Sequence, residues 1–114
     1  MKNIRLVVNN DLSKDKSKFF IKKELQCILN LYAKMVSNGS WKDYSFSLGS
    51  KEISFDVYQR ASDRPILKIS KNLKPNYFNE KFFIKDKDGT ILKKSEDLNL
   101  LINNTSWNNL KLVK

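Results

Sequence analysis

The 114-residue chain is predicted to fold as an α+β domain, with one long N-terminal helix packed on an antiparallel sheet of four to five strands and a short C-terminal helix. Three observations support this fold class. Apolar residues recur with helical spacing in the first third, they alternate with polar residues through the middle, and a short helical pattern returns near the C-terminus. The helix would cover the apolar face that the alternating strands cannot bury by themselves.

The stretch from Phe19 to Tyr44 contains the predicted long helix. One face of this helix would be an apolar stripe, whose residues recur at spacings of four, three, four and three: Ile21, Leu25, Ile28, Tyr32 and Met35. Leu29 and Val36 widen this stripe. Ser17 is predicted to cap the N-terminus, because its hydroxyl can accept a hydrogen bond from a first-turn amide. Gly39 suits the left-handed conformation that ends many helices.

Alternation further along predicts two β-hairpins and a strand between them. Residues 44–48 and 53–57 would form the first hairpin, with one buried face and one solvated face. Ile66 to Ile69 is the next predicted strand. The sequence Asp-Lys-Asp-Gly at 86–89 separates two apolar runs, and Asp-Gly is a strong hairpin signal because glycine takes positive φ without penalty. Ser95 is then predicted to cap the short C-terminal helix.

Length and composition fit one domain. Residues 1–18 are predicted to be a flexible lead-in, in which residues 4–8 would supply an edge strand, and residues 19–114 to form a single α+β domain. No apolar run approaches the roughly 18 residues of a membrane span, and the N-terminus lacks the apolar stretch of a secretory signal. The single cysteine, Cys27, cannot form an internal disulfide. These observations predict a cytoplasmic protein that does not associate with a membrane.

The sequence has few residues of the types that act in catalysis or bind metals and cofactors. It therefore predicts a protein that is not an enzyme and that has no cofactor and no metal. Histidine is absent, which removes the commonest general base, the Ser-His and Cys-His nucleophiles and most zinc sites. The three glycines are dispersed, so no phosphate-binding loop is present. Glu52 and Asp56 would share the polar side of one strand, where a solvated strand face is favoured over a glycosidase-like pair.

The formal net charge of the chain is +10, with 22 basic and 12 acidic residues. Such a charge can indicate an anionic partner. Three of the 22 basic residues are Arg, which leaves 19 Lys, whereas base-reading proteins rely on the planar fork of Arg. A solvated lysine-rich surface is therefore favoured over a nucleic-acid surface.

Binding of RNA or single-stranded nucleic acid through residues 64–94 is nevertheless the alternative function. This region carries nine basic and three acidic residues with interleaved aromatic rings, as single-strand binders do. No RNP-like, KH-type or helix-turn-helix motif accompanies it. The candidate contacts are Lys68, Lys71, Lys74, Tyr77, Lys81 and Lys85.

The favoured function is a small non-catalytic interaction or regulatory module with a protein partner. Trp41, Asp43 and Tyr44 follow the helix, and Arg60 and Arg64 bracket the connection after the first hairpin. If these residues converge, they would form the Trp-, Tyr- and Arg-rich patch that is typical of interface hot spots. The alternative is that both aromatic residues are core and that the arginines pair with nearby aspartates. The sequence leaves the oligomeric state open.

Three blocks of sequence resemble a small bacterial family of unknown function. They are EL..IL.LY..MV..G.W.DY from Glu24, F.VY.RAS..P...I.K from Phe55, and G.ILK...DL from Gly89 with LKL at 110–112. The resemblance covers residues 19–113. It departs at Gln59, where the family tends to have a second basic residue, and at Ser95, where it tends to have glycine. The resemblance implies one compact cytoplasmic domain and brings no known activity.

Overall fold

The computed structural model describes residues 18–60, 64–75, 77 and 80–107. Its elements in chain order are α1 (Lys22–Ser37), β1 (Asp43–Leu48), β2 (Glu52–Tyr58), β3 (Leu67–Asn72), β4 (Phe82–Asp86), β5 (Ile91–Ser95) and α2 (Leu98–Asn103). The strands form one sheet in the order β1-β2-β3-β4-β5, with every neighbouring pair antiparallel. The predicted α+β fold class is confirmed. The predicted edge strand at 4–8, the Ser17 cap and the LKL block lie outside the described residues.

The stretch that was predicted to contain the helix starts at Phe19, whereas helix α1 begins at Lys22. The N–H of Ile21 donates to Glu24 Oε1 at 2.8 Å, so a first-turn carboxylate satisfies the start of the helix. The rings of Phe19 and Phe20 leave the helical pattern and pack on Phe46 of β1, at centroid distances of 5.5 and 6.2 Å. The predicted helix end is confirmed, because Gly39 follows α1 with a φ of +83°.

Both helices cover the same face of the sheet. Helix α1 buries Ile28, Leu31 and Met35, and α2 buries Leu98 and Leu101. They pack on the alternate apolar side chains of the central strands, which are Ile53, Phe55, Val57, Leu67, Ile69, Phe82 and Ile84. The core therefore lies between one sheet face and two helices.

The buried stripe of α1 is shifted from its predicted position. Leu31 is buried, whereas Leu29 and Val36, which were predicted to widen the stripe, are 37% and 40% exposed. Helix α2 packs along the Leu31 side of α1, where Cys27 Sγ lies 3.7 Å from Asn99 Oδ1. Because α2 covers that side, the opposite margin of the apolar stripe remains on the surface.

The other face of the sheet, called here the open face, is not covered by α1 or α2. Its side chains include Ser45, Ser47, Ser54, Asp56, Lys68, Ser70, Phe83 and Lys85. Asp56 is only 2% exposed, and its carboxylate accepts hydrogen bonds from Ser47 Oγ and Ser54 Oγ, both at 2.5 Å. The prediction of a solvated strand face is therefore wrong at Asp56, because serine hydroxyls take the place of water around the carboxylate.

Lys71 connects the covered face of the sheet to the start of α1. It is 5% exposed, and its Nζ donates to the Phe19 carbonyl at 2.8 Å and to Glu24 Oε1 at 2.9 Å. The same carboxylate oxygen accepts from the Ile21 N–H. One nearly buried ion pair thus fixes both the N-terminus of the helix and its position on the sheet.

The elements around the second hairpin are close to their predicted positions, with one difference at α2. Gly89 has a φ of +87° and its N–H donates to the Asp86 carbonyl at 3.0 Å, which confirms the predicted turn. Helix α2 is capped by Asp97, whose Oδ1 accepts from the Asn99 N–H at 2.8 Å. Ser95, the predicted cap, ends β5 and accepts from the Asp97 N–H at 3.1 Å.

Replacing Lys71 with Met should lower the free energy of unfolding by about 3 kcal/mol, because Glu24 would keep a nearly buried charge without its cation. The double variant Glu24→Gln with Lys71→Met should be more stable than the single variant, since it leaves no unpaired charge. Urea denaturation followed by tryptophan fluorescence measures both free energies.

The matched control for this ion pair is Lys85→Met. It breaks the more exposed pair between Lys85 Nζ and Glu52 Oε2, which are 3.0 Å apart. This change should lower the free energy of unfolding by at most about 1 kcal/mol, because solvent screens an exposed ion pair. Equal losses from Lys71→Met and Lys85→Met would contradict a special role for the Lys71 pair.

Candidate protein-binding site

Strands β1 and β5 are the outer strands of the described sheet, and their edges differ in chemistry. Strand β5 carries Lys93 and Lys94, and its pairing with β4 is irregular between Ile84 and Lys85. Lysines and bulges protect a sheet edge from pairing with another strand. Strand β1, DYSFSL, has neither lysine nor proline and pairs with β2 in continuous register along its 6 residues. Strand β1 is therefore the edge that is better suited to accept a further strand.

The helix side of β1 is an aromatic and aliphatic row. Tyr44 and Phe46 are half-buried, and Leu48 at the end of the strand is 66% exposed. The ring of Tyr44 stacks on Phe55 at a centroid distance of 5.0 Å, and the ring of Phe46 meets Phe55 at 5.5 Å. Packing on the core thus holds these two rings in place at the sheet edge.

Side chains of helix α1 lie next to this row of β1 side chains at the edge of the sheet. The ring of Tyr32 meets that of Tyr44 edge-on, at 4.8 Å. Leu29 and Val36 lie three residues before and four residues after Tyr32, so all three share one side of the helix. We call the apolar and aromatic side chains along this edge, from both β1 and α1, the β1-edge surface. Its members are Leu29, Val36, Tyr44, Phe46 and Leu48.

The two tyrosines at this edge share an electrostatic environment. Burial raises the pKa of Tyr44 and of Tyr32, and the nearby Asp43 carboxylate raises both pKa values further. Asp43 Oδ1 accepts a hydrogen bond from the Tyr44 N–H at 2.8 Å. The neutral form of both phenols is therefore favoured in the folded protein.

The structure separates the residues that were predicted to bind a protein partner. Trp41 is 4% exposed, and its ring packs in the core between Tyr32 and Trp107, at 6.2 and 5.8 Å. Asp43 and Tyr44 open β1 and so belong to its edge. Arg60 and Arg64 are exposed, and Arg64 Nη2 donates to the carbonyl of Lys87 in the β4–β5 turn at 3.4 Å.

Sequence reasoning missed most of the β1-edge surface. It placed Leu29 and Val36 in the buried stripe, and it treated the residues of 46–48 only as part of a hairpin. The signal that could have revealed the edge is the contrast between DYSFSL, which has no lysine, and ILKKS, which has two. Recognising that contrast required knowing that these two strands end the described sheet.

The residues that were predicted to bind nucleic acid do not share one surface. Lys68 and Lys85 lie on the open face, where Lys68 Nζ is 3.8 Å from Asp56 and Lys85 Nζ is 3.0 Å from Glu52. Lys71 faces the opposite side and is buried. The remaining three, Lys74, Tyr77 and Lys81, are exposed in the connection before β4.

An open cleft of about 790 Å³ lies between the N-terminal ends of α1 and α2. It is lined by charges of both signs, which are Lys22, Lys23, Lys81, Glu24, Glu96 and Asp97. Within the described ranges, no group of three or more His, Cys, Asp or Glu residues is placed to hold a metal ion. The helices in that part of the chain are also too short or too polar to cross a membrane.

The fold and its edge define a small α+β domain with two helices on one face of a five-stranded antiparallel meander. The chain belongs to a family described as a protein of unknown function (DUF2794), whose sequence profile matches residues 18–102. The match runs from the residues before α1 to Ile102 in α2, and it confirms the predicted membership in a family of unknown function. No curated protein and no solved structure matches the chain significantly.

Alkaline pH should destabilise the protein through Tyr32 and Tyr44. Because their pKa values are raised in the folded state, the unfolded chain releases these protons first, near pH ~10. The stabilisation is therefore fully present below that pH and is lost as the pH rises through the raised values. In Tyr44→Phe, the free energy of unfolding should fall less steeply above about pH 9 than in the wild type.

Urea denaturation at a series of alkaline pH values measures this dependence. The control is Tyr77→Phe, which removes the same hydroxyl group from a side chain that is 68% exposed. If Tyr44→Phe and the wild type lost stability in parallel, the contribution assigned to Tyr44 would be wrong.

Proposed function

We propose that this protein is a non-catalytic interaction module that binds an extended segment of a protein partner along the outer edge of β1. The observation that carries the proposal is the contrast between the two described sheet edges. The edge at β5 has two lysines and an irregular pairing, whereas the edge at β1 has neither lysine nor proline and pairs regularly with β2. A partner strand would hydrogen-bond to the β1 main chain after Tyr44, whose own N–H already donates to Asp43 Oδ1.

The side chains around β1 would supply specificity. A partner strand that pairs with β1 places every second side chain on the helix side of the sheet, next to Tyr44, Phe46 and Leu48. Leu29 and Val36 are exposed on the same side of α1 as Tyr32, whose ring contacts Tyr44, and they would bury further apolar area. Partners with alternating apolar residues therefore fit this edge best.

We further propose that the protein is not an enzyme and that it is cytoplasmic. The absence of histidine from the sequence and the mixed charges of the open cleft between the helices support the first part. The single cysteine supports the second part, because a reducing compartment does not require disulfides.

Binding of RNA or single-stranded nucleic acid is the alternative, and the net charge of +10 favours it. The arrangement of the open face weighs against it. Lys68, Lys85 and Lys94 on this side of the sheet each have a carboxylate oxygen within 4.0 Å. These carboxylates offset the positive charge that would attract a phosphate backbone.

Capture of a protein partner should depend on the β1 edge. Immobilised full-length protein is incubated with native lysate, with and without nuclease treatment, and bound proteins are quantified by mass spectrometry. Leu48→Lys should lower the recovery of any specific partner by about tenfold, because it would bury a charge against an apolar strand. Leu48 is 66% exposed, so the fold should tolerate the change.

The matched controls carry the same substitution elsewhere on the surface. Ile91→Lys lies on β5 and Leu100→Lys on α2, at positions that are 47% and 48% exposed. Both controls should leave recovery unchanged. Equal recovery with Leu48→Lys and the controls would overturn the proposed edge, and capture that disappears after nuclease treatment would favour the nucleic-acid alternative.

A further inference from the structure

We infer that one end of the sheet binds the phosphate backbone of single-stranded nucleic acid, at a surface that does not use the outer edge of β1. The surface, called here the lysine end, consists of five lysines and one tyrosine: Lys22, Lys23, Lys51, Lys74, Tyr77 and Lys81. All six side chains are exposed. Half of them belong to the connection before β4, and the others come from distant parts of the chain.

Main-chain hydrogen bonds at the end of β3 bring two of these segments together. The Leu73 N–H donates to the Lys51 carbonyl at 2.8 Å, which places the β1–β2 turn beside the β3–β4 connection. The Asn72 N–H donates to the Lys81 carbonyl at 2.7 Å, on the β4 side of the same strand end. Lys51 and Lys81 therefore lie on either side of the segment that leads to Lys74.

Helix α1 adds two further lysines to this end of the sheet. Lys22 and Lys23 line the open cleft of about 790 Å³ together with Lys81. The ion pair between Lys71 and Glu24 holds the start of α1 on β3, at the strand end that the other lysines flank. The fold thus gathers cations that the sequence places far apart.

The five lysines of the lysine end differ from the lysines of the open face in their partners. Within the described ranges, no carboxylate oxygen lies within 4.0 Å of any of their Nζ atoms. Lys68, Lys85 and Lys94 each have such a neighbour. A phosphate can therefore reach the ammonium groups of the lysine end without displacing a carboxylate.

Most carboxylates at this end of the sheet are engaged by other groups. Three of them form ion pairs with lysines outside the lysine end: Glu24, Glu52 and Glu80. Asp97 Oδ1 caps α2 by accepting from the Asn99 N–H. Glu96 is then the exposed acidic residue of the cleft, so the cations available to a ligand outnumber the anions.

Tyr77 favours a nucleic acid over an acidic peptide as the anionic partner. Its side chain is 68% exposed and lies between Lys74 and Lys81 in the chain. An exposed ring can stack on an unpaired base, which an acidic peptide does not offer. Lysine binds phosphate as a point charge and does not read bases in the bidentate way of arginine, so binding should depend little on nucleotide sequence.

The test is the anisotropy of fluorescein-labelled oligo(dT) and oligo(rU), titrated with the full chain at several salt concentrations. We expect the logarithm of the association constant to fall linearly with the logarithm of salt, because bound lysines release counterions. Lys51→Gln with Lys81→Gln should make this slope shallower by about 1.4, or about 0.7 for each lysine removed. The tighter of the two oligonucleotides identifies the preferred sugar.

The matched control is Lys68→Gln with Lys85→Gln, which removes the same charge from the open face. This double variant should leave the slope nearly unchanged, because both lysines already lie beside carboxylates. Equal changes of slope in the two double variants would overturn the inference, since they would assign binding to the net charge of the whole chain.

The role of Tyr77 is tested separately from charge. Tyr77→Ala should weaken binding about tenfold at every salt concentration and leave the slope unchanged, because stacking neutralises no phosphate. Tyr77→Phe keeps the ring and should bind as the wild type does. Loss of affinity in Tyr77→Phe as large as in Tyr77→Ala would contradict stacking.

Two further outcomes would overturn the inference. One is the absence of binding to either oligonucleotide at low salt. The other is displacement of the oligonucleotide by polyglutamate together with unchanged affinity in Tyr77→Ala, which would indicate a site for acidic peptides. Neither outcome bears on the β1 edge, because protein capture that depends on Leu48 is also measured after nuclease treatment.

Discussion

The ion pair between Lys71 of β3 and Glu24 of α1 determines how the helix lies on the sheet. Glu24 also accepts from the first amide before the helix, and Lys71 also binds the carbonyl of Phe19. The chain is therefore held where the Phe19 ring meets Phe46 of β1. With the helix start fixed and α2 packed along the other side, Leu29 and Val36 remain above the β1 edge. The candidate site thus depends on an interaction that lies outside it.

The charged residues on the two faces of the sheet are paired differently, and this difference supports the proposed binding edge on β1. On the covered face, Lys71 is nearly buried, and its ion pair with Glu24 connects β3 to the start of α1. On the open face, Lys68 and Lys85 lie beside carboxylates, and Asp56 is enclosed by serine hydroxyls. Much of the described positive charge near the sheet is thus already paired. Net charge alone is a poor guide to the functional surface here, because it does not show which cations have partners.

The local part of the fold could be predicted from the sequence, and the non-local part could not. Alternation and an Asp-Gly turn predicted both hairpins, since each depends on residues that are close in the chain. The burial of Lys71 could not be predicted, because its carboxylate partner is 47 residues away. Trp41 is a core residue for a similar reason, as its ring meets Trp107. The candidate site was missed because an edge is defined only when the strand order is known.

The side chains of β1 also indicate which side of the strand would select a partner. On the open face, Ser47 donates to Asp56, and Ser45 Oγ lies 3.0 Å from Tyr58 Oη. Both hydroxyls therefore already have partners on β2 and have less capacity to recognise another chain. The main-chain groups at the outer edge would give affinity for any extended segment. Discrimination among segments then has to come from the helix side, where Tyr44, Phe46 and Leu48 meet the margin of α1.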